Sequence, residues 1–183
     1  MTPAEVLETL LNAYRRYYNI QTEDVEPPFA AEAAFHTHDE QYFLVKRARI
    51  SEMDSHEYVF FALGETLSLS DVQRLDAAAW ERGLSRVKPH ANHRSTDVVL
   101  VMLAEHITPD AMDCVRKLKH RQSYRFLLQC CSDYRLVALD VSAGTLSCNR
   151  RGRDLQKLFR NIIPHKEAEE EKGEISTGYG TIS

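Results

Sequence analysis

Apolar residues recur at helical spacing from the start of the chain, with Val6, Leu7, Leu10, Leu11, Tyr14 and Tyr18 on one face. Thr2-Pro3-Ala4-Glu5 supplies the start: Thr2 can cap, Pro3 loses nothing at the first helical position, and Glu5 completes a capping box. The helix should fade near Asn19, and Glu23 to Pro28 reads as an acidic connection closed by prolines. From Phe29 the period drops to two. Phe29, Ala31, Ala33 and Phe35 face one way, and Glu32, His36 and His38 the other. Polar breaks at His38-Asp39-Glu40 and Ser51 to Ser55 separate two further strands, Gln41 to Ile50 and His56 to Leu63, which Gly64 ends. Three strands joined by short polar turns predict an antiparallel meander.

Ser70-Asp71-Val72-Gln73 predicts a second capped helix, running to about Arg82, with Val72, Leu75 and Ala79 inward and Gly83 as its stop. Lys88 to Ser95 is polar and reads as a loop. Val98 to Leu103 is six apolar residues without alternation, which predicts a central, parallel strand buried on both faces. Thr108-Pro109-Asp110 caps a third helix, with Met112, Val115 and Leu118 inside. Tyr124 to Cys131, a Ser132-Asp133 turn and Tyr134 to Val141 read as two strands. A Ser142-Ala143-Gly144 turn and a short strand, Thr145 to Cys148, follow. Arg153 to Ile163 is the last helix, with Leu155, Leu158, Phe159 and Ile162 at helical spacing. The order α-βββ-α-β-α-ββ(β)-α predicts an α/β fold, one mixed sheet flanked by helices, over residues 1–164. Residues 165–183 are Glu-rich, then rich in Gly, Ser and Thr, and read as a disordered tail.

Composition narrows the class. With 183 residues, 43% hydrophobic and 27% charged, the chain has the profile of one soluble globular domain. No apolar run approaches the ~20 residues of a membrane helix, and the start of the chain lacks the basic-then-apolar layout of a secretory signal. None of the four cysteines forms a Cys-x-x-Cys pair, so Cys114, Cys130, Cys131 and Cys148 read as buried free thiols of a reducing, cytoplasmic protein. The net charge of −4 gives no global pull toward nucleic acid, but it is unevenly spread. Met1 to Glu40 holds 2 basic and 8 acidic residues; Val115 to Arg160 holds 11 basic and 3 acidic.

The order of elements also resembles the core of the restriction-endonuclease-like superfamily. Val98 to Leu139 carries most of the likeness: a buried strand leads through Ile107-Thr108-Pro109-Asp110-Ala111 into a helix and then another strand, similar to Mrr-like nuclease domains. The resemblance spans Met1 to Asp140 and implies a bacterial protein with that fold. Active members hold Mg or Mn through acidic residues on adjoining strands, with a Lys two positions past the second acid. This chain departs from that pattern, since Leu44 precedes Lys46 by two and Val59 follows Glu57 by two. A rearranged catalytic site would use Asp39, Glu57 and Lys46.

Other chemistry is sparse. His36-x-His38 places two imidazoles on one strand face, and His56, or His90 and His93, could complete a metal site; solvated histidines are the plainer reading. Asp133-Tyr134-Arg135 falls at the expected turn, where Asp is common. Arg150, Arg151 and Arg153 surround Gly152 where a strand gives way to the last helix, which suits an oxyanion site. There is no nucleophile elbow, Walker loop or dinucleotide fingerprint. These signs together favour a non-catalytic interaction domain with a nuclease-like fold and without a cofactor. The alternative is a metal-dependent nuclease or nucleic-acid-binding protein. Tyr134 to Leu139, read as lying near a sheet edge, further suggests a homodimer.

Overall fold

The computed structural model describes residues 1–36, 54–87, 93–124 and 131–162. The expected strand Gln41 to Ile50, the body of the strand expected before Cys131, and the tail 165–183 lie outside the described residues. The architecture is the expected mixed sheet flanked by helices. Helix α1 (Pro3–Tyr14) precedes β1 (Asn19–Gln21), β2 (Ala31–His36) and β3 (Asp54–Leu67). Helix α2 (Leu69–Ser85), β4 (His93–Ile107), α3 (Pro109–Lys117), β5 (Arg121–Ser123) and β6 (Cys131–Asp140) follow. The described chain closes with β7 (Thr145–Cys148), a 3-10 turn (Arg150–Gly152) and α4 (Arg153–Ile162). The sheet runs β1-β2-β3-β4-β6-β5, with β7 also paired to β6.

Strand β4 is parallel to both neighbours, β3 and β6. Its apolar run is therefore covered twice over. Val98, Leu100 and Met102 pack under α2 and α3, while Val99, Val101 and Leu103 pack under α1 and α4. All six are completely buried. The lack of alternation in the sequence reports this two-sided cover.

Several boundaries differ from the sequence reading, each for a local reason. Helix α1 stops at Tyr14, not near Asn19, and gives way to a turn in which Tyr17 and Tyr18 both donate their N–H groups to the Tyr14 carbonyl. The chain then gains ladder bonds as β1 along β2. The cap of α2 is Ser68 rather than Ser70: Ser68 Oγ accepts from the Asp71 N–H, and the Asp71 carboxylate accepts from the Ser68 N–H. Gly83 lies inside α2 and does not end it. A Cβ there would stand 2.5 Å from a Val98 methyl carbon, so the glycine lets α2 lie against β4.

Thr108 begins α3 without a side-chain capping bond. Ser132 and Asp133 form no turn, since β6 runs through them in register with Thr96 and Asp97. Strand β6 lies next to the edge of the sheet but is itself paired on both sides, with β4 on one and β5 and β7 on the other, so it is not an open edge strand. Leu158 faces outward on α4, and the thiols of Cys114, Cys131 and Cys148 are half-buried rather than buried. Among the described residues no helix is long and apolar enough to cross a membrane.

Candidate functional site

At the N-terminal ends of the parallel strands, register puts Glu57 beside Asp97 and Asp97 beside Asp133. Adjacent carboxylates on one sheet face repel one another. The chain answers with Arg135, two residues along β6 from Asp133 and therefore on the same face. Its guanidinium stands 2.8 Å from Asp97 Oδ2 and 3.6 Å from Glu57 Oε2. Tyr18, just past α1, donates its hydroxyl to Glu57 Oε1 at 2.9 Å. Asp133 is flanked by Arg151 at 3.5 Å and Arg121 at 3.8 Å.

Burial dominates the titration of the inner acids. It raises Glu57 above the ordinary Glu value, against the pull of Arg135 and of the Tyr18 hydrogen bond. Asp97 is raised for the same first reason, with Arg135 opposing and Asp133 adding to the rise. Burial and then the Glu57 charge push the Tyr14 and Tyr18 phenols upward as well, so both stay protonated and Tyr18 keeps the proton it donates to Glu57.

Outside this row opens a cleft of about 310 Å³, lined by Asp97, Asp133, Arg135, Arg150, Arg151, Arg153 and Asp154. Every lining residue is charged, which suits polar ligands and excludes an apolar one. All three arginines singled out in the sequence are here and exposed. Arg150 and Arg153 make no ion pair with a described residue, in contrast to Arg135 and Arg151.

Asn149 holds this rim in place. Its Oδ1 accepts from the Leu136 and Gly152 N–H groups, and its Nδ2 donates to the Leu118 and Tyr134 carbonyls. Gly152 serves the same anchoring and does not face a ligand. It is buried, and a Cβ on it would meet the Leu136 carbonyl oxygen at 2.5 Å.

A family model described as a domain of unknown function, DUF8052, matches residues 2–161. The chain belongs to the DUF8052 family. No curated protein and no solved structure matches it. The DUF8052 match runs through β3, β4, β6 and the arginine turn, so the whole charged cleft lies within the family domain.

The remaining sequence candidates are scattered. Of the catalytic trio only Glu57 is described, and its carboxylate is held by Arg135 and Tyr18; Asp39 and Lys46 lie outside the described residues. Register sets His36 on β2 opposite His56 on β3, and the His56 ring stacks with Tyr58 at 6.5 Å. His38 and His90 lie outside the described residues. Among the described residues no group of three or more His, Cys, Asp or Glu side chains is placed to hold a metal ion.

Sequence reasoning missed Asp97 as a site residue and took Asp133 and Arg135 for turn chemistry. The available signal was their odd-numbered placement, which puts both on the face opposite Tyr134. A second polar group was missed on the other sheet face. His120 Nε2 lies 2.8 Å from Asp76 Oδ2, and its ring stacks on Trp80 and edges against Tyr134. The Tyr134 hydroxyl and Asp76 Oδ1 are buried and make no hydrogen bond of good geometry with a described residue.

Among the described residues, the opposite end of the sheet offers no comparable anion site. There α2 and α3 begin, but Asp71 and Asp110 already accept backbone N–H bonds at those starts. These carboxylates take the place an anionic ligand would want.

Proposed function

We propose that this domain is a non-catalytic binding module that captures an anionic group, phosphate or carboxylate, in the cleft between the carboxylate row and the 3-10 turn. The observation that carries this reading is the pair Arg150 and Arg153, exposed on a wholly charged cleft and without a carboxylate partner among the described residues. Their planar forks suit bidentate oxyanion contacts. The acids Asp97, Asp133 and Asp154 interrupt the basic surface, which favours one compact oxyanion over a long phosphate backbone.

The nuclease alternative, with Mg or Mn, needs acids free to take a metal. Glu57 and Asp97 instead share the Arg135 guanidinium, a cation already seated between them. The homodimer expectation rested on Tyr134 to Leu139 lying near an open sheet edge and is not part of this proposal.

Calorimetric titration with inorganic pyrophosphate, an acidic peptide and short duplex and single-stranded oligonucleotides tests the reading. Wild type should bind pyrophosphate, and the triple variant Arg150→Ala/Arg151→Ala/Arg153→Ala should bind it about tenfold or more weakly, the scale of one lost charge-assisted contact. Oligonucleotide binding that collapses between about 50 mM and about 200 mM salt would instead mark a backbone-tracking surface. Equal pyrophosphate affinity in wild type and triple variant would remove the cleft from consideration.

A further inference from the structure

If the cleft takes anionic groups, as proposed above, the chain carries its own candidate. Beyond α4, the stretch 165–183 contains Glu167, Glu169, Glu170, Glu171 and Glu174 against Lys166 and Lys172. The path back to the cleft is basic. Arg153, Lys157 and Arg160 recur along α4 at spacings of four and three, all exposed, while Leu155 and Phe159 on the other side are buried. They form a stripe from the end of α4 to its start, where Arg150, Arg151 and Arg153 line the cleft.

We infer that the Glu-rich segment 167–174 of this same chain runs back along α4 and occupies the arginine cleft as a tethered competitor. Reach permits it. Helix α4 has 10 residues, about 15 Å of rise, whereas the twelve residues from 163 to 174 span up to ~40 Å when extended. Glu169 to Glu174 therefore reach the cleft with chain to spare. Tethering favours this occupant over a second copy's tail, because a short linker holds the segment at an effective concentration on the order of 1 mM. An external anion then binds in competition with it.

The test uses the full chain and a variant with Glu167, Glu169, Glu170, Glu171 and Glu174 all changed to Gln. Backbone and arginine side-chain NMR signals of Arg150 to Arg153 should shift between the two proteins and be unaffected by dilution. Pyrophosphate should bind the variant roughly three- to tenfold more tightly, as expected on removing a weak competitor at millimolar effective concentration. Shifts that fade on dilution would assign the contact to a second copy and overturn the tethered form. Pyrophosphate bound equally by both proteins, with unchanged arginine signals, would overturn tail occupancy and leave the cleft as an external anion site. Tail-dependent shifts with no pyrophosphate binding to either protein would retain the tail as occupant and overturn the external-anion reading.

Discussion

Asn149 and Gly83 show how much a single position can carry. Asn149 uses both ends of its amide on four backbone groups from β6, the 3-10 turn and the end of α3. Asn149→Asp keeps the shape but turns a charged oxygen toward two carbonyls. It should cost about 2–4 kcal/mol in urea unfolding, the range for breaking a buried polar network. Gly83→Ala should also destabilise, by about 1–3 kcal/mol, because the added methyl meets Val98. Helix propensity alone would forecast a gain of about 1 kcal/mol, so the sign of the measured change separates packing from propensity. Neither role was legible from the sequence. Gly83 stood where a helix stop belongs, and nothing in the sequence marked Asn149 apart from its place beside the arginines. Both roles depend on which backbone passes nearby, and local sequence does not encode that.

At the scale of elements, legibility followed how much of an element's environment is local. The start of α1 was readable because Thr2, Pro3 and Glu5 are their own partners, and β4 was readable because two-sided burial suppresses alternation. Asp133 was misread because its partners, Arg151 and Arg121, come from elsewhere in the chain, and a charge inside a strand then looks like a break. The strand-borne acids lead to a pH prediction. The folded state raises Glu57 above its ordinary value, so the native protein binds a proton more readily than the unfolded chain. Glu57 thus costs no stability below its ordinary pKa and increasingly opposes folding as pH rises through the raised value. Glu57→Gln removes that cost along with one ion pair, while Arg135 keeps Asp97. Urea unfolding should find the variant's stability flatter than wild type as pH rises from the ordinary Glu value through the raised one. At the upper end the variant should lie within about 1 kcal/mol of wild type or above it.

For the whole molecule, the α/β layering was legible, and so was the grouping of Arg150, Arg151 and Arg153 where the last helix begins. The carboxylate floor was not, because it exists only once β3, β4 and β6 lie side by side in one register. That same arrangement has a bearing on how the chain comes off the ribosome. The two long partners of β4 are parallel, so neither can form by closing a local hairpin. The β6 half of the cover is not synthesised until residues 131–140. Until then Val98 to Leu103 is an apolar, β-prone stretch, without charge or proline, waiting for its second partner. Parallel, non-local pairing is slow, and the incomplete chain is exposed to aggregation meanwhile. Nascent chains halted before Cys131 should therefore sediment with aggregates or holdase chaperones, whereas chains extended through Ile162 and clear of the exit tunnel should resist protease.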